Sequence, residues 1–463
     1  MELRDQGESR PSFSHARIEI PPNAARVLAA LEDAGYEAYA VGGCVRDALM
    51  GRKANDWDIC TSALPQQSKD VFDAAGYATF DTGMKHGTVT VHIDHEPFEV
   101  TTYRSDGMYS DGRHPDTVEF LPDIEGDLLR RDFTVNAMAY HPRRGLVDIT
   151  GGREDLQAGV LRCVGDPHKR FAEDGLRIMR ALRFSSVLGF SIDQDTARAI
   201  HEDKGLLALV AMERVSAEFM KLLCGEGVVD LLLEYEDVVA EFLPQLKPMF
   251  GFDQHNRYHI YDVWEHSVRA CGYIAPNPEL RLAALIHDVG KPSCFFTDEE
   301  GNGHFHGHPE AGEPIARDIC KTLRLPNAVA REVCELVKMH DLPVKLTTKS
   351  MRRRIAAVGE GFQRKLYQLN EADIVSHSNL GMEQNLKDLA ASKELFEEVL
   401  TQMSALSERD LAINGRDLIA LGFEAGPALG TVKKELFSKV VDGDLANERE
   451  TLLEYAATKL SGM

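Results

Sequence analysis

The chain has 463 residues, 43% hydrophobic and 27% charged, with a formal net charge of −22 at pH 7, as in an ordinary folded protein with room for two to four domains. No apolar run approaches the roughly 18 residues of a membrane span. The first residues lack a signal peptide's apolar stretch, and eight cysteines without a CxxC pair read as reduced thiols of a cytosolic protein.

In chain order, residues 1–20 read as a mobile tail, and residues 21–150 alternate helix and strand signals. AARVLAALEDAG is an amphipathic helix closed by Gly35, EAYAVGG a short strand ending in two glycines, and CVRDALMG a second helix stopped by Gly51. WDICTS, TVTVHI and PFEVTTY carry the β-branched and aromatic residues of strands, whereas SDGMYSDGRHPD has a loop's composition. Beyond residue 150 the strand signal fades. From residue 167 the chain reads as helices, AEDGLRIMRALRF (172–184) among them, with a break at 244–260 around Pro244, Pro248 and Gly251. The expected fold class is α+β: a mixed-sheet head over 21–150, a helical neck over 151–245, a further region over 246–380, and a helical, acidic tail over 381–463.

The acidic total argues against a general nucleic-acid coat. Ten arginines within residues 130–183 suit a local phosphate site instead. In the head, Gly42 and Gly43 between strand and helix let backbone approach a ligand, and the helix N-terminus presents N–H groups to an anion. Arg46, in the first turn, could add a charge-assisted bond to phosphate. Asp56 and Asp58, two apart in an expected strand, leave one face. Paired like charges are costly without a cation between them, and hard carboxylate oxygens suit Mg2+. Glu99 is a candidate third carboxylate if its strand lies beside that of Asp58. The competing reading is a plain turn and an exposed acidic edge. Together these features suggest nucleotidyl transfer, with two divalent ions shared between carboxylates and a triphosphate.

VGGCVRDALMGRKANDWDICTSALP, TGMKHGTVTV, EVTTYRSDGMYSDGRHPDTVEF, LLRRDFTVNAMAY, DITGGREDL and EDGLRIMRALRF follow in that order. Over residues 36–225 the chain resembles the bacterial tRNA nucleotidyltransferases, the CCA-adding enzymes, of the class shared with bacterial poly(A) polymerases. The resemblance implies a polymerase β-like nucleotidyltransferase head. It implies contacts to a nucleoside triphosphate from Gly43 and Arg46, and Mg2+ ligands in Asp56 and Asp58. Arg131, Asp132 and Asn136 would handle the incoming nucleotide's sugar and phosphates. Asp174, Arg177, Arg180 and Arg183 would lie on a nucleotide-selecting helix. The loop Ser105–Val118 would serve the switch from C to A addition. The implied partners are the tRNA 3′ end, CTP and ATP, with no membrane and an open oligomeric state.

The chemistry of 172–184 agrees with that implication. A carboxylate only accepts and a guanidinium only donates. Asp174 with Arg177 would therefore fit the amino-donor and ring-acceptor edge of C or A and mismatch U or G. A solvated salt-bridge face is the alternative.

Further on, HNRYHIYDVWEHSVRA, LRLAALIHDVGKP, GHFHGHPEAG, LVKMHD and EADIVSHS place His266, His287–Asp288 and Asp373 in the order H…HD…D, with His308 and His340 between. This resembles an HD-type phosphohydrolase domain. It implies a divalent metal of unspecified identity and substrates such as phosphomonoesters or 2′,3′-cyclic phosphates. Three alternatives stay open: a poly(A) polymerase, an A-adding-only enzyme, and an HD hydrolase with an RNA-binding head. The segment 381–463 shows no chemistry.

Overall fold

The computed structural model describes residues 18–106, 118–341, 346–404, 410–424, 426–441 and 443–460. The expected tail lies outside them over residues 1–17, as does the expected switching loop over 107–117. Ile18 is a core residue, 6% exposed, so the packed chain starts before residue 21. The chain divides into two compact units: one running to Lys247 with Thr322–Arg324, the other Pro248–Lys321 with Leu325–Met463.

The first unit is built on strands β1 (Ala38–Val41), β2 (Ile59–Thr61), β3 (Ala78–Gly83), β4 (Thr88–Ile93), β5 (Glu96–Thr102), β6 (Arg104–Asp106), β7 (Val118–Phe120), β8 (Met138–His141) and β9 (Gly145–Asp148). Seven of them form one mixed sheet in the order β3-β4-β5-β2-β1-β8-β9, and β6 pairs with β7. The β2–β5 pair is parallel and its neighbours antiparallel. Burial alternates along β4, with Val89, Val91 and Ile93 inward, as a strand with one covered face requires. Tyr39, Val41, Cys60, Tyr103, Leu128 and Ala139 form one buried cluster of the sheet. Helices α1 (Pro22–Asp33), α2 (Gly43–Leu49), α3 (Pro65–Ala74), α4 (Ile124–Leu129), α5 (Gly152–Ala158), α6 (Pro167–Glu173) and α7 (Leu176–Leu188) accompany the sheet and extend beyond it.

Two expectations need correction here. WDICTS is strand only over Ile59–Thr61, so Asp56 and Asp58 sit on the approach to β2. AEDGLRIMRALRF is not one helix. It breaks after Glu173, where Asp174 is extended (φ −147°, ψ 105°) and Gly175 starts α7. Gly175 is packed so closely that a Cβ there would lie 2.8 Å from the Leu206 carbonyl oxygen.

The second unit is helical apart from a two-residue hairpin, Phe296–Thr297 with Gly303–His304. GHFHGHPEAG is therefore not a simple loop, since a helix begins at His308. The C-terminal stretch is helical as expected: Met382–Ser404, Gly415–Leu421, Pro427–Val441 and Arg449–Leu460. The last three share a core of Leu418, Leu436, Leu452 and Ala456. No helix of the described residues is long and apolar enough to cross a membrane.

Candidate active sites

The sheet register brings the head's candidate residues to one edge. Ala40 pairs with Ile59, and Val41 N–H donates to the Asp58 carbonyl at 3.0 Å. The Gly42–Gly43 turn therefore leaves β1 where Asp58 enters β2. Ile59 also pairs with Val100, which puts Glu99 beside Asp58. Trp57 and Ile59 are buried while Asp56, Asp58 and Glu99 are exposed, so the same-face expectation agrees with the burial pattern. Crowding by protein, then Glu99 and Asp56, push the Asp58 pKa up, with Arg131 opposing. Mutual repulsion among three oxygen-donor carboxylates fits a hard divalent cation.

Gly42 has φ +84°, and a Cβ on it would lie 3.1 Å from Arg131 Nη1. Both the backbone and the close guanidinium demand glycine. Gly42→Ala should cost about 1–3 kcal/mol of stability, read by urea unfolding; an unchanged midpoint would contradict this. Arg131 itself donates through Nε and Nη2 to Asp127 Oδ2, at 3.3 and 3.0 Å.

A buried polar chain joins α2 to α7. Arg46 Nη1 donates to Asn136 Oδ1 at 2.6 Å, and its Nε and Nη2 donate to Asp47. Asn136 Nδ2 donates to Asp132 Oδ1 at 3.3 Å, while Arg180 grips Asp132 Oδ2 through Nε and Nη2 at 2.8 and 2.6 Å. The guanidiniums of Arg46, Arg180 and Arg183 lie 5.1, 5.2 and 3.5 Å from the Phe184 ring centre. Arg183 also bonds Glu218 at 2.7 Å. Nine of the ten arginines over 130–183 make ion pairs with carboxylates of this unit. The arginine-rich stretch is thus largely ion-paired from within the unit.

Burial alone would raise the Asp132 pKa, but Arg180 and then Arg177 outweigh it and hold it at about 2. A carboxyl depressed on folding stabilises above its unfolded value of about 3.9 and loses that stabilisation as pH falls through its folded value. The stability gap between wild type and Asp132→Asn should therefore narrow by about 2 kcal/mol between pH 5 and pH 2, measured by urea unfolding. A gap constant across that window would contradict the pairing.

Asp174 and Arg177 are held from several sides. Asp174 accepts from Leu176 N at 3.0 Å and from Arg214 Nη2 at 3.0 Å. Arg177 donates to Glu173 at 2.6 Å and to the carbonyls of Arg170 and Arg130. A carboxylate accepts about four bonds and a guanidinium donates five, so both keep capacity for a ligand.

In the second unit, helix ends gather the predicted residues. His266 lies on Val263–Tyr273 and Asp373 on Glu360–Val375. His287 and His340 cap the C-termini of Pro278–Ile286 and Asn327–Met339, and His308 opens the helix His308–Thr322. Ligand atoms of His266, His287, Asp288 and Asp373 lie within 4.8 Å of one another, as do those of Asp288, His308 and His340. Asp288 belongs to both groups. In the described residues, all clusters this tight lie in this unit; the head carboxylates are more open.

The histidine tautomers are fixed from behind. Nδ1 of His287, His308 and His340 faces the carbonyls of Ala284, Phe305 and Val337 at 2.7, 2.9 and 2.7 Å. With Nδ1 donating, each Nε2 faces inward, the arrangement of metal-ligating imidazole. His308 Nε2 and His340 Nε2 then stand 3.1 Å apart, and His287 Nε2 lies 3.2 Å from Asp288 Oδ2 and 3.4 Å from Asp373 Oδ1. Burial disfavours charge on His287, yet Asp288 and Asp373 outweigh it and push its pKa up to about 10. The donor set fits one or two divalent cations.

The structure adds three residues the sequence did not single out. His377 Nε2 is 3.3 Å from Asp373, Lys291 Nζ is 2.7 Å from Asp288 Oδ2, and His259 forms a third cluster with His266 and His377. His377 and Lys291 follow Asp373 and Asp288 by four and three positions, a helical spacing that could have flagged them.

Residues 38–162 match the family model for the poly A polymerase head domain. Residues 189–250 match a probable RNA and SrmB-binding site of polymerase A, and residues 310–456 a putative tRNA nucleotidyltransferase domain 2. The chain is 34% identical over 438 residues to the CCA-adding enzyme of Leuconostoc mesenteroides, covering 93% of this chain and 94% of that one. It is also 34% identical to the CCA-adding enzyme of Limosilactobacillus fermentum, covering 94% and 96%. The fold is similar to that of the Bacillus stearothermophilus CCA-adding enzyme in complex with CTP, at TM-score 0.67 and 29% identity, covering 96% and 99%. The Thermotoga maritima CCA-adding enzyme complexed with tRNA shares the fold at TM-score 0.59 and 20% identity, covering 95% and 96%.

Proposed function

This chain belongs to the CCA-adding enzymes, a family of nucleotidyltransferases, and from that premise we propose that it builds or repairs the 3′-terminal CCA of tRNA from CTP and ATP. The observation that carries the reading is the convergence of the Gly42–Gly43 turn, Asp56, Asp58, Glu99 and Arg131 at one sheet edge. Asp56, Asp58 and Glu99 would hold Mg2+, and two such ions would activate the attacking hydroxyl and stabilise the departing pyrophosphate. Gly42, Gly43 and Arg131 would cradle the triphosphate. Arg46, Asn136, Asp132 and Arg180, already bonded in series, would hold that surface rigid.

Product sizing on tRNA lacking zero, one, two or three terminal nucleotides tests the reading. Restoration of CCA in every case, with growth stopping there, is expected. Runs of A beyond it would identify a poly(A) polymerase, and addition to tRNA ending in CC alone an A-adding enzyme.

Asp174 and Arg177 would read the base. Asp174→Glu and Arg177→Ala should reduce the preference for C and A over U and G by about 100-fold or more, because a site with buried polar groups rejects a base that leaves them unpaired. Assaying all four nucleoside triphosphates measures this; unchanged selectivity would sink the base-reading role.

A second activity is favoured by the lone-pair meeting of His308 and His340 beside Asp288. The second unit would act as an HD-type, metal-dependent phosphohydrolase. His266, His287, Asp288, His308, His340 and Asp373 would be its ligands, with 2′,3′-cyclic phosphates or phosphomonoesters at RNA ends its substrates. The metal's chemistry there is to lower the pKa of a bound water. Lys291 would position Asp288, and His377 would position Asp373. Absence of hydrolysis across Mg2+, Mn2+, Ni2+ and Zn2+ would overturn this reading.

A further inference from the structure

Three arginines of α7 in the first unit face carboxylates: Arg177 meets Glu173, Arg180 meets Asp132, and Arg183 meets Glu218. Arg354, on the helix Thr348–Val358 of the second unit, does not follow that pattern. Its Nε donates to Gln363 Oε1 at 3.1 Å, and its Nη2 is buried with no hydrogen-bond partner among the described residues. Burial lowers its pKa, opposed only in part by Tyr367. Arg354 is half-buried, and its Nη2 is held out of water without an anion; the fork of guanidinium donors matches phosphate.

The cavity it lines gives the anion a place. About 590 Å3 in volume, it is lined by Arg354, Asn370, Ser392 and the carboxylates Asp341 and Asp388, together with His340 and Asp373 of the metal-ligand cluster and His377 beside it. A smaller cavity of about 280 Å3 opens on the same cluster and contains Lys291, Asp288 and His308.

We propose that Arg354 binds a second phosphate of a substrate whose scissile phosphate lies at the metal-ligand cluster. The second unit would then prefer nucleotides phosphorylated at two positions, an RNA 3′ end with its upstream phosphodiester included. This rests on the hydrolase reading of the same cluster. Hydrolysis adds water across the scissile P–O bond: one P–O bond forms, the ester P–O bond breaks, and the leaving oxygen takes a proton from water. Arg354 takes no part in that exchange and is a specificity residue.

The test uses full-length protein and uridine nucleotides, which the head's C- and A-reading site would reject. Equilibrium dialysis compares uridine 3′,5′-bisphosphate with uridine 3′-monophosphate. Turnover compares 5′-phosphorylated uridine 2′,3′-cyclic phosphate with its unphosphorylated form. Wild type should favour the doubly phosphorylated member about ten-fold in both. Arg354→Gln should bring each ratio near one, and Arg354→Lys should retain part of the preference, with thermal unfolding confirming that both variants fold. Equal binding of both nucleotides by wild type, or a preference that survives Arg354→Gln, would overturn the proposal. Preferential, Arg354-dependent binding without hydrolysis of either cyclic phosphate would support the phosphate site and overturn the hydrolase reading.

Discussion

Replacing Asp58 with asparagine is expected to lower nucleotide addition about 1,000-fold or more, because removing one charged metal ligand forfeits several kcal/mol of transition-state stabilisation. The same substitution should leave the melting temperature unchanged or slightly higher. Glu99 and Asp56 raise the Asp58 pKa, against Arg131. A carboxyl raised on folding costs stability wherever it is ionised, and that cost grows as pH rises through its folded value. An isosteric neutral amide relieves this repulsion. The pairing of a large activity loss with no stability loss separates a working residue from a structural one. Single-turnover incorporation on tRNA lacking its terminal nucleotide measures the first quantity, and a thermal melt at pH 7 without added metal measures the second. A fall in both together would place Asp58 in the scaffold. Asp132→Asn provides the contrast, since its carboxylate is gripped by Arg180 at 2.6 Å and its loss should lower stability.

What could be read from residues alone follows the range of the interactions involved. β1, β4 and β5 were legible because β-branched and aromatic residues crowd short runs bounded by glycines, a local signal. The candidate carboxylates were legible as types, and the guess that Glu99 lies beside Asp58 agrees with the β2–β5 register. The break at Asp174 was not legible. It depends on Gly175 packing against Leu206 and on Arg214 reaching Asp174 from forty positions away. Arg46 was read as open to phosphate because nothing nearby announces Asn136, ninety residues on, as its partner. In the second unit the order H…HD…D, with two histidines between, sufficed to name six converging residues. The role of Nδ1 in aiming each histidine comes from backbone carbonyls, which no side-chain pattern records.

On the proposed reading, a divalent metal bound by the second unit should raise its stability by about 2.7 kcal/mol when the free metal is 100-fold above its dissociation constant, since only the folded state would present the site. For a unit of this size that corresponds to roughly 5–10 °C in melting temperature. The expectation rests on His308 and His340. Each Nδ1 is committed to a carbonyl, so their Nε2 atoms confront each other at 3.1 Å with Asp288 Oδ1 3.3 Å from His308 and 3.6 Å from His340. A cation between these atoms converts lone-pair repulsion into coordination. His308→Ala removes the confrontation along with a ligand, so it should raise the melting temperature of chelator-treated protein while abolishing most of the metal-induced increase. His340→Ala should do the same, and the double variant should add little, because either change destroys the shared point. Asp288→Asn should be harsher. It withdraws the carboxylate common to both ligand groups and leaves Lys291, 2.7 Å away, as a buried charge without its counterion, at a cost of about 3–5 kcal/mol. Calorimetric melts of the four variants with chelator and with each metal in turn distinguish these outcomes. A metal-induced increase that survives His308→Ala and His340→Ala together would mean that the cation binds elsewhere, and that the two imidazoles share a proton instead.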